Sequence, residues 1–361
     1  MKPSFPTTYL DARQSFIKAA HQAGAHLEVC LHPQKGFQGE DMAIDVAWFG
    51  ARDASKVLVA ISATHGVEGL YGSGCQIAWL QQFKPDRLPA DTAVMVIHAL
   101  NPYGFSWLRR VNEDNIDINR NHLDFDVGHP ENPGYEDVHA WLLPDEWTNA
   151  AQLTLQQQIM AYLAQKGVRL GTRAITGGQY QHADGIFYGG TALCWSNRQL
   201  NQLAQTYLQE AKLIVVLDHH TGLGPSGHTE LICRHPVDSQ ALATARQWWG
   251  VDVTSPASGE SASEVIDGNV RMAFVHLCPK AMVVTIAMEV GTQDEQHVIA
   301  SLVADNWLHQ KGQVQSPQGA AIRQQVRDAF FVDTPEWREK ALTRGLAIWQ
   351  DALTGLRNTD V

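Results

Sequence analysis

A histidine and a glutamate three residues apart, His65 and Glu68, lie where an apolar run ends and a helical pattern begins. At such a turn an imidazole and a carboxylate can converge on one metal ion. We expect the neighbouring Gly66 and Gly69 to let the backbone approach that metal closely. The pair alone is common by chance, and a zinc site needs more ligands than two.

A further ligand is available in the segment Leu217–Gly222, which begins at the last residue of another apolar run. Adjacent side chains of an extended chain point to opposite faces, so only one of His219 and His220 is expected to reach a metal. We choose His220, and expect His219 to be buried under the sheet or hydrogen-bonded. Asp218 is placed to hold the other ring nitrogen of the metal-binding histidine.

A polar segment, Asn101–Asn121, contains five asparagines and three arginines. Arginine forms bidentate contacts with carboxylates and asparagine fixes orientation, so the segment suits binding of a carboxylate and an amide carbonyl. The same composition also occurs in loops that bind nothing, and both interpretations stay open at this point.

Glu289 directly follows the apolar run Ala281–Met288, at the end of a predicted strand. Burying an isolated carboxylate is costly, so a glutamate at this position is either paired, used in chemistry or exposed at the strand end.

Near-continuous apolar runs of this kind are typical of central strands covered by helices on both faces. They are Lys56–Ala63, Ala93–Ala99, Leu213–Leu217 and Ala281–Met288. The predicted fold is an α/β class, three-layer α/β/α sandwich with a mixed, mostly parallel central sheet. Every candidate lies at or just beyond the C-terminal end of a predicted strand, where open sheets of this class place ligand sites. No linker or repeat is evident, so residues 1–361 are predicted to form a single domain.

Composition limits the function classes. The chain has 361 residues, 44% hydrophobic and 18% charged, with a net charge of −11 and no cluster of Lys and Arg. The absence of such a cluster argues against nucleic acid and anionic membranes as partners, because binding to either requires concentrated positive charge on the protein. The five scattered cysteines form no CxxC motif and are expected to be buried small hydrophobes. No apolar run of signal-peptide or membrane-span length is found, so a cytoplasmic location is expected.

The order of the motifs along the chain is more specific than any single motif. They are His-x-x-Glu, then Asn-Pro-x-Gly-Phe with Arg110 and Asp-x-Asn-Arg-Asn, then Asp-x-His-Thr-Gly, then Glu-x-Gly-Thr. This ordered set resembles the zinc carboxypeptidase superfamily over roughly His65 to Thr292. The Glu-Val-Gly-Thr ending resembles its succinylglutamate desuccinylase and aspartoacylase branch more than the digestive carboxypeptidases. The resemblance implies a zinc-dependent exopeptidase-like fold.

The resemblance also implies roles for the metal site. His65, Glu68 and His220 match the zinc ligands, with one Zn²⁺ per chain and a coordination position left open for water. Glu289 matches the general base that takes the proton from that water.

Substrate-binding roles follow from the same resemblance. Arg110 matches the arginine that polarises the scissile carbonyl and stabilises the oxyanion. Asn119 and Arg120 match the pair that holds the terminal carboxylate of the substrate. The tyrosine that many carboxypeptidases carry on a mobile loop has no clear equivalent, and Tyr188 and Tyr180 are its candidates.

The predicted reaction is hydrolysis of an amide bond adjacent to a free carboxylate, in a peptide or an N-acyl amino acid. A small-molecule N-acyl amino acid deacylase is an alternative that only pocket size would separate. A non-catalytic peptide-binding module on the same fold is another, although a pure binder would not need Glu289. A two-metal phosphate or ester hydrolase would need further histidines, for which His98, His122 and His182 are candidates. The oligomeric state is left open.

Overall fold

A single mixed sheet forms the centre of the computed structural model, which describes residues 5–361. Its strands are β1 (His26–Lys35), β2 (Asp41–Phe49), β3 (Lys56–Ile61), β4 (Thr92–His98), β5 (Leu213–Gly222), β6 (Thr229–Ile232), β7 (Val253–Thr254) and β8 (Met282–Gly291). The spatial order is β1-β2-β4-β3-β5-β8-β6-β7. The central strands β4, β3, β5 and β8 run parallel to their neighbours in that group. Antiparallel pairing joins this group to β2 on one side and β6 on the other.

Helices connect and cover the strands. They are α1 (Tyr9–Gln22), α2 (Gly69–Gln82), α3 (Pro102–Trp107), α4 (Glu136–Leu142), α5 (Asn149–Lys166), α6 (Val168–Thr176), α7 (Trp195–Tyr207), α8 (Gln240–Trp249), α9 (Val270–Leu277), α10 (Glu295–Gln310), α11 (Pro317–Phe330) and α12 (Pro335–Arg357). Short 3₁₀ turns at Gly66–Glu68 and Ile118–Arg120 belong to the candidate site.

Side chains of the central strands alternate between two hydrophobic clusters. Leu58 of β3 packs in one cluster with Trp349 of α12, whereas Val59 packs in the other with Leu203 of α7 and Phe274 of α9. A strand buried on both faces needs a helical layer on each side, which explains its unbroken apolar sequence. The predicted three-layer α/β/α fold is confirmed.

Two segments differ from the sequence-based expectation. The polar segment Asn101–Asn121 begins with helix α3, where Asn101 caps the helix by accepting from the Gly104 N–H at 2.9 Å. Strand β5 continues past Leu217 to Gly222, because the polar residues at its end pair in register with β8. This extension sets His220 directly beside Glu289.

Four of the five cysteines are buried, Cys30 is partly exposed, and all are free. No helix between residues 5 and 361 combines the length and hydropathy of a membrane span. A single domain over residues 1–361 and a cytoplasmic location stay predictions.

Candidate metal centre

The chain turns sharply after β3 to form the first part of the site. Ala63 adopts a left-handed conformation with φ of 56°, which is unusual for a residue with a Cβ and occurs often at functional sites. The 3₁₀ turn Gly66–Glu68 then brings Glu68 back beside His65. His220 reaches the same point from the neighbouring strand β5.

His65, Glu68 and His220 converge with their ligand atoms facing one another. The Nδ1 atom of His65 lies 2.8 Å from Oε1 of Glu68, and the Nδ1 atom of His220 lies 2.9 Å from Oε2. The two Nδ1 atoms are 3.2 Å apart. Two imidazole nitrogens and a carboxylate directed at one point form a donor set that suits Zn²⁺, so these residues fit the implied metal.

Each imidazole has a second carboxylate near its other ring nitrogen. Asp218 Oδ2 lies 2.8 Å from Nε2 of His220, as predicted. Asp117 Oδ1 lies 3.5 Å from Nε2 of His65, which the sequence analysis did not foresee. The Asp-x-Asn-Arg-Asn motif contains Asp117, and a carboxylate between arginines and asparagines was the available sign of such a role. Outer carboxylates of this kind fix ring orientation and raise the basicity of a metal-binding histidine.

The electrostatics of the cluster favour a cation at its centre. Burial by itself would raise the pKa of Glu68, but attraction to His65 and His220 lowers this pKa to about 2. Burial disfavours the charged form of His220, but Asp218 and Glu68 outweigh it and raise its pKa to about 10. Glu68 therefore stays ionised between the two imidazoles, and its negative charge attracts a cation to this point.

Glu289 lies on β8 beside His220 and is only 8% exposed. Its Oε1 accepts a hydrogen bond from the Leu223 N–H at 3.0 Å. Burial, reinforced by the negative charge of Glu68, raises the pKa of Glu289 to about 6. A carboxylate of this pKa can accept and release a proton near neutral pH.

Arg110 lines the same cavity as the cluster. Its Nε donates to Asp117 Oδ2 at 2.9 Å, its Nη1 lies 3.7 Å from Glu68 Oε1, and its guanidinium lies over the Phe187 ring. The adjacent Arg109 instead forms a buried ion pair with Asp305 at 3.0 Å. Arg110 is thus held beside His65, Glu68 and His220, whereas Arg109 supports the fold.

Asn119 and Arg120 also line this cavity. Asn119 Oδ1 accepts from the Val270 N–H at 3.1 Å. Arg120 donates to the carbonyl oxygens of Asn119 and Thr176, and its Nε is buried without a partner among the described residues. Backbone contacts hold part of each side chain, and the remaining N–H groups can donate to a substrate in the cavity.

The structure does not bring Tyr188 to the cavity, which corrects that assignment. Its ring packs in the hydrophobic cluster with Ile118 and Leu200, and the cavity wall at this point is formed by Phe187. Tyr180 is also turned away, and its hydroxyl donates to the Arg120 carbonyl at 2.6 Å. Sequence could not place these side chains because the irregular segment that carries them has no periodic pattern.

The glycines of the His-x-x-Glu turn serve packing rather than approach to a metal. A Cβ built on Gly66 would lie 2.0 Å from the carbonyl carbon of Gly104, and one on Gly69 would lie 2.5 Å from the Phe105 ring. Close contact with α3 therefore requires glycine here. It also brings Arg110 near the cluster, since the Gly66 N–H donates to the Arg110 carbonyl at 3.2 Å.

None of the additional histidines lines the cavity. His219 is buried, as expected: its Nδ1 donates to the Ile61 carbonyl oxygen at 2.8 Å, and its Nε2 accepts from the Trp349 indole N–H at 3.0 Å. The candidates for a second metal lie elsewhere: His98 is buried against Ser73 and His122 contacts Asn201. His182 stacks on His139 at the surface, where Asp184 completes a second group of potential metal ligands.

Arg234 and Arg271 also line the cavity, and sequence analysis did not identify them. They lie within the segment from residue 227 to residue 271, where no motif was found. Where no motif surrounds an arginine, the local sequence does not predict which site its side chain reaches in the fold.

Comparisons with known proteins support the fold. One crystal structure of thrombin-activatable fibrinolysis inhibitor aligns with 98% of this chain and 75% of its own, with a TM-score of 0.52 and 10% identity. The bovine form, in complex with tick carboxypeptidase inhibitor, aligns over 99% of both chains with a TM-score of 0.50 and 9% identity. Carboxypeptidase A from Helicoverpa armigera is also similar, over 91% of this chain and 75% of its own, at 12% identity and a TM-score of 0.45.

The predicted resemblance to the zinc carboxypeptidase superfamily is confirmed at the level of the fold. A search of curated proteins finds no match. A family model described as "Protein of unknown function (DUF2817)" matches residues 5–344. Because this match spans most of the sequence, the chain belongs to the DUF2817 family.

Proposed function

We propose that this chain is a zinc-dependent hydrolase that cleaves an amide bond adjacent to a free carboxylate. The observation that carries the proposal is the convergence of His65, Glu68 and His220 in one cavity with Glu289 and Arg110. A non-catalytic metal-binding module would not need a buried carboxylate such as Glu289, whose pKa is raised toward neutrality.

Zinc, when bound by the three ligands, lowers the pKa of water and polarises a carbonyl group. Glu289 accepts the proton of the attacking water and passes it to the leaving amine. The Arg110 guanidinium stabilises negative charge that develops on the carbonyl oxygen. Asn119 and Arg120 hold the free carboxylate and so place the scissile bond next to Glu289.

The proposed substrate is a peptide with a free C-terminus or an N-acyl amino acid. Both present an amide bond next to a carboxylate, which is the feature that the site residues would recognise. Release of free amino acid is measured for a panel of C-terminal peptides and N-acyl amino acids. The panel member that is cleaved preferentially identifies the substrate class.

Metal content tests the proposal directly. Purified protein is expected to contain about one zinc ion per chain, because three ligands converge at one point. His220→Ala removes one ligand and is expected to lose the metal and chelator-sensitive hydrolysis together. His182→Ala is the matched control, since it removes a histidine of the surface group and should leave zinc in the cavity. Elemental analysis and circular dichroism of all three proteins give the comparison.

Protein that binds no metal even after zinc is supplied would contradict the proposal. Stoichiometric zinc without turnover of any panel member would instead favour a binding module.

The pH dependence of kcat/KM follows from the role of Glu289. A general base works only when ionised, and the pKa of Glu289 is raised to about 6. Activity should therefore rise with pH through this pKa and fall about tenfold per pH unit below it. A bound cation stabilises the carboxylate and shifts this fall to lower pH. A kcat/KM profile with zinc content checked at each pH tests the expectation, and a flat profile with metal retained down to about pH 4 would exclude Glu289 as the base.

A further inference from the structure

A groove lined mainly by apolar side chains lies between α5, α6 and the start of α10. Its apolar lining includes Leu153, Ile159 and Met160 of α5, Val168 of α6 and Ile299 of α10. The open volume is about 990 Å³ in this groove and about 110 Å³ in the cavity that contains Glu289. A space of the larger size is at the upper end of the range for small-molecule sites.

The groove adjoins the cavity that contains Glu289. Three residues line both spaces, namely Thr172 of α6 and Glu295 and Ile299 of α10. Along α10, Val298 faces the cavity and Ala300 faces the groove, so the two spaces meet across this first turn and a half of the helix. A ligand whose reacting group lies in the cavity can therefore continue into the groove.

Helix α5 leaves most of its apolar surface uncovered. Leu155 is the one buried side chain of its 18 residues, whereas Leu153 is 61% exposed and Met160 is 50% exposed. A contiguous exposed apolar surface of this kind marks a binding site more often than a scatter of single exposed residues does. Because this surface borders the cavity, the substrate of the proposed reaction is the ligand best placed to cover it.

The lining of the groove suits an uncharged hydrocarbon chain. Among the residues that line it, Glu295 and His297 are the ionisable ones, and Glu295 would repel a chain that carries negative charge. Helices form the walls, so the groove offers no strand edge with which an extended peptide could pair. Burial of methylene groups against aliphatic side chains needs neither charge nor hydrogen bonds.

The acyl side of the scissile amide is the side that leads to the groove. In the proposed reaction Asn119 and Arg120 hold the carboxylate of the amino acid, and Asn119 is tied to α9 through the Val270 N–H at 3.1 Å. The groove opens instead at α10, the helix that follows the strand of Glu289. The acyl carbon faces the water that Glu289 activates, so the rest of the acyl group extends away from α9.

We propose that this groove binds the acyl chain of the substrate, and that the chain selects N-acyl amino acids with an unbranched hydrocarbon acyl group of about eight carbons or more. The inference rests on the proposed hydrolase function and specifies its substrate class. Water adds its oxygen to the acyl carbon and the C–N bond breaks. The amine nitrogen receives a proton from that water, and the products are a fatty acid and a free amino acid.

The test compares N-acyl alanines that differ in acyl length alone, from acetyl through butanoyl, hexanoyl and octanoyl to decanoyl. Each buried methylene is expected to raise kcat/KM about fourfold once the chain reaches the groove. Decanoyl alanine should therefore exceed acetyl alanine by about 100-fold or more. All rates are measured below the concentration at which the longest substrate forms micelles.

A charge placed in the groove is expected to abolish this preference. Met160 lies across the groove from α10, where the Gln296 Nε2 is 3.5 Å from its sulfur. Met160→Glu should lower the ratio of kcat/KM between decanoyl and acetyl alanine at least about tenfold, because the chain would pass a carboxylate. Leu170→Glu is the matched control, since Leu170 is 58% exposed on α6 but lines neither the groove nor the cavity. Circular dichroism of both variants checks folding.

Equal kcat/KM for all chain lengths would overturn the acyl site, and so would a length preference that Met160→Glu leaves intact. Sedimentation velocity tests a different occupant, a second copy of this chain. A dimer that Met160→Glu dissociates, together with rates that do not depend on acyl length, would assign the groove to subunit contact and reject the acyl site.

A binding measurement separates failure of the acyl site from failure of the hydrolase function. Zinc-loaded Glu289→Gln protein is titrated calorimetrically with decanoyl alanine and with acetyl alanine, with and without Met160→Glu. Tighter binding of decanoyl alanine that depends on Met160 supports the acyl site even if no substrate is hydrolysed. Hydrolysis together with equal affinity for the two compounds would retain the enzyme and reject the acyl site.

Discussion

Glu289→Gln is expected to lower kcat by about 10³-fold while zinc content and folding remain those of the native protein. The two side chains have the same shape, and the glutamine oxygen can still accept the Leu223 N–H that Glu289 accepts at 3.0 Å. What the substitution removes is the ability to take a proton from water. The effect should therefore appear in kcat rather than in KM.

Single-turnover kinetics, zinc analysis and thermal unfolding of the purified variant give this comparison. Glu260→Gln serves as the control, because that carboxylate forms a surface ion pair with Arg246. Activity of Glu289→Gln within about tenfold of native would show that another group is the base.

Arg110→Gln is expected to lower kcat by about 10²- to 10³-fold, the effect of losing one oxyanion-stabilising group. Nη1 of Arg110 lies 3.7 Å from Oε1 of Glu68, and its Nε donates to Asp117 Oδ2 at 2.9 Å, which orients the guanidinium. Loss of the guanidinium leaves Asp117 less compensated, so a moderate fall in stability should accompany the loss of rate. Added guanidinium ion should partly restore the rate if the missing charge is the cause.

Arg109→Gln provides the contrast from the neighbouring position. It breaks a buried ion pair with Asp305 at 3.0 Å and should lower the free energy of unfolding by about 3 kcal/mol or more. The folded fraction should keep most of its kcat, since Arg109 does not line the cavity. Similar losses of kcat in both variants, measured on protein shown to be folded, would contradict the role given to Arg110.

Much of the fold could be predicted because its central strands are buried on both faces. Runs such as Lys56–Ala63 must be apolar throughout, and this pattern is visible without the rest of the chain. Parallel strands present their C-terminal ends at one edge, so His65 and His220 could be expected to approach each other. The structure brings them to 3.2 Å between their Nδ1 atoms.

Assignments failed where long-range packing decides which way a side chain points. Tyr188 and Phe187 are adjacent, yet Phe187 lines the cavity and Tyr188 packs in the core. Asp117 lies near the Nε2 of His65 because it precedes a short 3₁₀ turn, and no periodic sequence pattern predicts the geometry of such a turn. Arg234 and Arg271 reach the site from elements that showed no motif.

The layered fold and the approach of His65, Glu68 and His220, which we propose as metal ligands, were predictable from residue types alone, because strand burial and donor chemistry are local properties. The charge around these three residues depends on long-range packing, which turns Arg110 rather than Arg109 toward them and places Arg234 and Arg271 in the same cavity. The electrostatics of a buried site depend on the distances between groups that are remote in sequence. Those distances exist only in the folded chain.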